Sequence, residues 1–365
     1  MSQSAINLVG KSRGELERLF VGMGEKPFRA RQVMRWVYSH AELDPRAMTD
    51  LSVAFRERLI ESARFALPTV MERQEASDGV WKWQLAAGSS QAIETVFIPE
   101  ASRGTLCISS QVGCALDCSF CATGRQGFNR NLDAAEIIGQ VLLAGRELAE
   151  AGEGKTVTNV VFMGMGEPLA NFRPVAEAVD VLTDDLGFGL SRRRVTVSTS
   201  GLVPQMRRLA ESARVALAVS LHAPDDKLRD ELVPINRRHP IAELLPACWD
   251  YVERTNTRDV TFEYVMLDGV NDSLAQARQL AGLLRNRPAK VNLIPFNPFP
   301  DSGYKRSTSA QVDDFRDVLM SAGIMTITRK TRGDDIAAAC GQLAGRVNNL
   351  VSAPLGSKSR GVSPS

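Results

Sequence analysis

From about residue 104 onward, short apolar runs alternate with amphipathic ones six times, and few folds accommodate that alternation. The runs TLCISSQ, TNVVFMGMGEP, RRVTVSTSG, VALAVSLHA, DVTFEYVMLDG and KVNLIPFNP read as strands. Between and after them, LDAAEIIGQVLLAGRELAEA, PVAEAVDVLTDD, VPQMRRLAESA, AELLPACWDYVERT, LAQARQLAGLLRN and AQVDDFRDVLMSAG read as helices. Near-continuous apolar strands belong to a parallel sheet covered on both faces. Strand–helix units in series wind right-handed into an open doubly wound sheet or a barrel. A closed barrel takes eight units, so six predict an α/β fold with a partial (β/α)6 barrel.

The flanks differ in pattern. Residues 1–75 read as a small helical domain: SRGELERLF carries a capping box of Ser12 with Glu15, and ARQVMRWVY and LSVAFRERLIESA repeat the apolar spacing of three and four. Residues 76–103 alternate and are broken by turn residues, which predicts a hairpin linking to the barrel at 104–335. A segment at 336–350 follows, and the Ser/Gly/Pro-rich tail at 351–365 predicts disorder. The 365 residues, 44% hydrophobic and 24% charged, suit one large domain with an appendage. No apolar run approaches the roughly 20 residues that span a bilayer, and MSQSAINLVGKSRGELERLF lacks a signal-peptide core. A cytoplasmic protein without a membrane partner is expected. With a net charge of only +2, nucleic-acid binding would fall to local patches: KPFRARQVMR, Arg192 to Arg194, Arg237 with Arg238, and TRKTRGD around Arg329.

Polar or Gly-rich motifs recur at the strand C-termini (SSQVGC, GMGEP, STSG, SLHA, PFNPF), the edge where parallel α/β folds bind ligands. The loop SQVGCALDCSFCATG sets Cys114, Cys118 and Cys121 four and then three positions apart. A zinc site would need a second cysteine pair or nearby histidines, and the chain has only His40, His222 and His239. Three thiolates suit an iron–sulfur cubane instead, with one iron left open to a substrate. Of the other cysteines, Cys248 sits on an amphipathic helix as a small core residue. Cys107 lies on the first strand, seven residues before Cys114. Cys340, in RGDDIAAACGQL, follows the last barrel element, where a loop could carry it back across the barrel mouth.

That cysteine spacing after the first strand of a partial barrel resembles the radical S-adenosylmethionine (radical SAM) superfamily, in which an aromatic such as Phe120 commonly precedes the third cysteine. The resemblance runs from about Thr105 to Asn297. It implies a 4Fe–4S cluster on Cys114, Cys118 and Cys121. It further implies S-adenosylmethionine contacts at Gly166 and Glu167 of GMGEP, Ser198 of STSG, Ser220, Leu221 and His222 of SLH, and Asn297 of PFNPF. TLCISSQVGCALDCSFCATGRQGFNRNL, VVFMGMGEPLANF, SLHAP, LIPFNPF and RGDDIAAACGQL more narrowly resemble the RlmN-type dual-specificity RNA adenine C2-methyltransferases, over nearly the whole chain.

This narrower resemblance implies a two-stage reaction consuming two S-adenosylmethionine molecules per methylation. Cys340 takes a methyl group, hydrogen abstraction makes it a methylene radical that adds to adenine C2, Glu94 removes the C2 proton, and Cys107 resolves the adduct by a transient disulfide with Cys340. Adenine C2 is electrophilic, so a radical route is chemically reasonable where polar methyl transfer is not. Implied partners are 23S ribosomal RNA at the peptidyl-transferase centre, tRNA at the adenine 3′ of the anticodon, and a reducing donor such as flavodoxin, with the enzyme a monomer. Two alternatives stand beside this: a Cfr-type adenine C8 methyltransferase, and a non-catalytic iron–sulfur RNA-binding protein. The second leaves GMGEP, STSG and SLH without a purpose.

Overall fold

The computed structural model describes residues 5–88, 90–152 and 154–350. Three helices open the chain: α1 (Arg13–Gly22), α2 (Arg29–Met34), which continues into a π-helical turn at Arg35–Ser39, and α3 (Val53–Ser62). The Ser12–Glu15 capping box forms as the sequence predicts. Phe20 and Phe55 meet edge to face at 5.1 Å to close this small core. It docks onto the barrel through Arg13, which pairs with Asp184 and Asp185, and through Tyr38, whose ring lies 5.3 Å from Phe188. Gly10 is required at the contact, because a Cβ there would sit 2.4 Å from the Ala134 carbonyl oxygen.

The main sheet has ten strands: β1 (Val70–Glu75), β2 (Trp81–Ala86), β3 (Ala92–Glu100), β4 (Arg103–Cys107), β5 (Asn159–Phe162), β6 (Val195–Thr199), β7 (Ala216–Ser220), β8 (Val260–Met266), β9 (Ala289–Pro295) and β10 (Met325–Thr328). They lie side by side in chain order. β1 to β4 pair antiparallel, and β4 to β10 pair parallel throughout. Covering helices are α4 (Ala134–Ala151), α5 (Phe172–Thr183), α6 (Val203–Ser212), α7 (Asp226–Leu232), α8 (Ile241–Thr255), α9 (Leu274–Leu284) and α10 (Ser309–Ser321). Six strand–helix units followed by a last strand make the expected partial barrel.

One expectation is corrected. The hairpin expected at 76–103 forms, as β2 and β3, but it is no separate linker, and Val70–Glu75 is no part of a helical domain: β1 to β3 extend the barrel wall beyond β4. β1 is an exposed edge strand of mostly polar residues, VMERQE, which hides the strand alternation. β3 is buried from Ala92 to Phe97 on both faces: α4 covers one side (Thr95 Oγ1 donates to Gln140 at 2.6 Å), and on the other the C-terminal segment reaches Glu94 through its Ala344 amide. The tail at 351–365 lies outside the described residues.

Register fixes which side chains face the barrel interior. On β8, Phe262 packs against Trp249 of α8 and Tyr264 against Phe315 of α10, so both point outward to the helices. Thr261 and Glu263 therefore point inward. Following the pairing from strand to strand, Glu94, Cys107, Ser198, Ser220, Glu263 and Asn292 share that inner face.

Candidate active site

A short strand at Gln111–Gly113 follows β4 and pairs with Phe128–Asn131, and the cysteine loop hangs between the two. Gly113 has φ +78°, and a Cβ there would lie 2.0 Å from the Gly127 carbonyl oxygen, so the loop closes only with glycine. The Cys114 amide donates to that carbonyl at 2.7 Å. Burial raises all three thiol pKa values; Cys118 and Cys121 raise Cys114 further, and Cys121 raises Cys118. The three sulfurs thus share one electrostatic neighbourhood. Among the described residues no group of three metal-binding side chains stands in single-ion geometry. A cubane engages each thiolate through a separate iron. Three soft donors with no fourth fit such a cluster.

The loop after β5 places Glu167 against the loop after β6. Its carboxylate accepts from the Ser200 amide at 2.8 Å and the Leu169 amide at 3.1 Å. Burial nevertheless pushes its pKa up to about 7. Gly166, at φ +105°, lies against Gln111, whose side-chain oxygen accepts from the Glu167 amide at 2.8 Å. Ser198 faces inward on β6, and Ser220 ends β7. Leu221 is fully buried, and His222 adopts φ +58° so that its ring returns toward the cluster loop. Phe120 meets that ring edge to face at 4.5 Å. His222 Nδ1 accepts from the Val265 amide at 3.0 Å, and burial lowers its pKa to about 3, so the ring is neutral with its proton on Nε2.

A strap at 333–346 crosses the mouth and presents Cys340. Asn297 donates from Nδ2 to the Cys340 carbonyl at 3.2 Å, while its Oδ1 accepts from Arg306 and Thr331. The Ala122 amide donates to Gly341, Thr123 to Leu343, and Gln126 to Gly345. The Ala92 and Arg346 amides exchange hydrogen bonds. Burial, with Cys340 nearby, pushes the Cys107 thiol up to about 12. Glu94 accepts from the Ala344 amide at 3.0 Å and lies 3.6 Å from Lys82. Its pKa is raised by burial, with Lys82 opposing. The geometry therefore brings Cys107, Cys340, Glu94, the three loop cysteines and the strand-end motifs to one mouth, while Cys248 is buried on α8 in the core.

Sequence reading missed Arg229 of α7, which looks like one charge in a solvated DDKLRDEL helix. It is 0% exposed. Its guanidinium donates to the Ser200 carbonyl at 2.7 Å, Ser220 at 3.0 Å, Leu221 at 3.1 Å and the Asn236 side chain at 2.7 Å. Burial lowers its pKa to about 10, which leaves it charged at neutral pH. One cation thus braces two strand-end loops and lies near enough to Cys118 to stabilise its thiolate. Of the basic patches, Arg192 to Arg194 and Arg237 with Arg238 are exposed. Arg329 is not part of a surface patch: it lies beside Cys107 and Cys340 in the barrel interior.

This partial barrel with a three-cysteine loop at its mouth defines a radical SAM enzyme, and residues 108–281 match the model of that superfamily. Residues 6–65 match the ribosomal RNA large subunit methyltransferase N-terminal domain. A radical SAM methyltransferase from Sphaerobacter thermophilus is 46% identical, with 93% of this chain and 99% of that one covered, at TM-score 0.86. The chain belongs to the RlmN-type radical SAM methyltransferases. Its cofactors are a 4Fe–4S cluster and S-adenosylmethionine, and its substrates are RNA. More distant are SuiB of Streptococcus suis bound to S-adenosylmethionine (14% identity, 63% and 54% covered, TM-score 0.44) and a domain of pyruvate-formate lyase-activating enzyme from Bacteroides vulgatus (18%, 47% and 99%, TM-score 0.33). Neither carries an argument here. Among the described residues no helix is long and apolar enough to cross a membrane.

Proposed function

We propose that this enzyme methylates C2 of adenine, in 23S ribosomal RNA at the peptidyl-transferase centre and in tRNA 3′ of the anticodon. The observation that carries the reading is the strap, which presents Cys340 beside Cys107 while its Ala344 amide is bonded to Glu94. Cys114, Cys118 and Cys121 would hold the cluster, and Gly166, Glu167, Ser198, Ser220, Leu221, His222 and Asn297 would hold S-adenosylmethionine. Together these two supply the carbon-centred radical chemistry that an unactivated C–H bond requires. Flavodoxin is our candidate for the electron donor.

Cys340 would act as the carbon carrier: its thiol loses its proton, and the thiolate takes the methyl group of S-adenosylmethionine, which leaves as S-adenosylhomocysteine. After hydrogen abstraction the Cys340-borne methylene would bond to C2 of the base, and the adduct would give up its unpaired electron to the oxidised cluster that Cys114, Cys118 and Cys121 would hold. Glu94 then takes the C2 proton, for which its raised pKa suits it. Cys107 gives up its proton and attacks the Cys340 sulfur; the disulfide forms as the bond from that sulfur to the base-borne methylene breaks, and the freed carbon takes up a proton to give the methyl group of the product. The high pKa of Cys107 keeps it a thiol until that step. Cys107→Ala is expected to accumulate a protein–RNA adduct. Mass spectrometry of RNA from a strain lacking and then regaining the enzyme should show 2-methyladenosine lost and restored. 8-Methyladenosine alone would overturn the reading.

A further inference from the structure

Glu263 has no place in the chemistry above, yet its position is costly. It is 5% exposed, its Oε1 accepts from Asn292 at 3.1 Å, and its Oε2 is buried without any partner. A buried carboxylate oxygen left unpaired is destabilising, and such atoms call for a functional account. Glu263 stands on the inner face in register with Ser220 on one side and Asn292 on the other. Across from it, at the end of β10, is Arg329. Its backbone amide is pinned to the Leu293 carbonyl at 2.8 Å. The adjoining segment is tied at Thr331 to Asn297, which also holds the Cys340 carbonyl. The Arg329 guanidinium makes no hydrogen bond or ion pair with any described residue. Its ionisable neighbours are Cys340, Glu263, Cys107 and Glu100.

A carboxylate oxygen and a guanidinium, each without a hydrogen-bond partner, therefore lie near one another, the guanidinium beside the thiol that would carry the methyl group. We propose that Glu263 and Arg329 form the base-reading subsite of this enzyme, with Glu263 accepting from the exocyclic N6 amine of the target adenine and Arg329 donating to its N1. A carboxylate only accepts and a guanidinium only donates, which matches the amine and ring nitrogen of the adenine Watson–Crick edge. Guanine and uracil present an acceptor where adenine has its amine. Cytosine shares the amine and ring-nitrogen pattern but has no carbon equivalent to purine C2. C2 adjoins N1, so a base held this way turns C2 toward Cys340, and a hydrogen bond at N1 draws electron density from C2. An extruded base read along this edge is a common solution for enzymes acting on nucleobases. The alternative ligand for Glu263, the ribose diol of S-adenosylmethionine, leaves Arg329 without a role. The proposal rests on the C2 reading above.

The test uses the full-length, cluster-loaded enzyme and a substrate RNA carrying either adenine or unsubstituted purine at the target position. Purine lacks the N6 amine but keeps N1 and C2. The wild type is expected to methylate the purine RNA about 10- to 100-fold more slowly, the value of one specific base contact. Glu263→Leu should lower the rate on adenine by a similar factor and bring the adenine-to-purine ratio close to one. Its S-methylation at Cys340, read by intact-protein mass, should persist. Glu263→Gln, which keeps volume and one acceptor, should fall between and guards against misfolding. Arg329→Met should slow both RNAs alike. An unchanged adenine-to-purine ratio in Glu263→Leu overturns the proposal, as does weakened S-adenosylmethionine binding with unaltered base preference, which would assign Glu263 to the cofactor. Product mass spectrometry separates the two readings: methylation at another carbon sinks the C2 assignment whatever the ratio does.

Discussion

The cysteine loop and the Cys340 strap meet at one barrel mouth but are held there in opposite ways. The loop at 114–121 is closed by its own flanks: a strand pair, the Cys114–Gly127 bond and a glycine that nothing else replaces. The strap at 333–346 has a short 3-10 turn and a few local bonds of its own, and is tied down by Asn297, Thr123, Gln126, Glu94 and Ala92. Hydrogen bonds of that kind contribute about 1 kcal/mol each. The side proposed to hold the cluster is thus closed largely within itself, and the side proposed to carry the carbon hangs on separate contacts from several elements. Glu94 shows why this matters: the strap's Ala344 amide occupies the carboxylate that would serve as base.

The comparison breaks most completely at the cysteines. Cys118→Ala should abolish cluster loading, read from iron content and absorbance, and with it all methylation. Cys340→Ala should leave the iron content at wild-type level and still yield no methylated protein and no product. If both variants lost iron, the strap would belong to the cluster site and the division would fail.

Arg229 sharpens the fixed side. Lysine keeps the charge near Cys118 but cannot reach four acceptors at once. Arg229→Lys should therefore retain the cluster while weakening S-adenosylmethionine binding about 10- to 100-fold, the usual cost of losing a group that orients a site. Calorimetric titration checks this, and unchanged binding would reduce Arg229 to a packing residue.

A third measurement concerns Glu167, again on the fixed side. Burial raises its carboxyl from 4.5 to about 7, so the folded chain keeps a proton that the unfolded chain releases. Folding stability of the cluster-free chain should then fall as pH rises from about 4.5 to 7, by up to about 3 kcal/mol, and level off above. Glu167→Gln should flatten that slope in urea unfolding series. An equally steep slope in the variant would assign it to other groups.

How far the sequence foretold this arrangement depends on the range of the interactions. The spacing of Cys114, Cys118 and Cys121 is local, so their convergence was legible from composition and loop chemistry alone. The barrel was legible because six apolar strands repeat with their helices. Cys107 and Cys340 stood out by position, on the first strand and after the last barrel element, but Glu94 could be singled out only through family resemblance, since nothing local marks a carboxylate in AIETVFIPE as buried. Arg229, Glu263 and Arg329 were not legible as site residues at all. Their burial follows from strand register and from loops arriving from distant sequence, and each reads locally as an ordinary surface charge. β1 was misread for the converse reason: an edge strand exposed along most of its length has no apolar alternation to show.

The smallest expected effect probes the strap itself. Thr123 Oγ1 donates to the Leu343 carbonyl at 2.7 Å, with both groups buried. Thr123→Val keeps the shape and removes the donor, which should weaken the strap by about 1 kcal/mol. Local opening governs amide exchange, so the Ala344 and Arg346 amides, which bond Glu94 and Ala92, should exchange about five-fold faster. The Cys114 amide, bonded within the loop to Gly127, should keep its wild-type rate. Acceleration confined to the strap would show that its contacts release independently of the cluster loop. Equal acceleration at Cys114 would show instead that the two regions open as one unit, and that the strap's borrowed bonds also hold the loop closed.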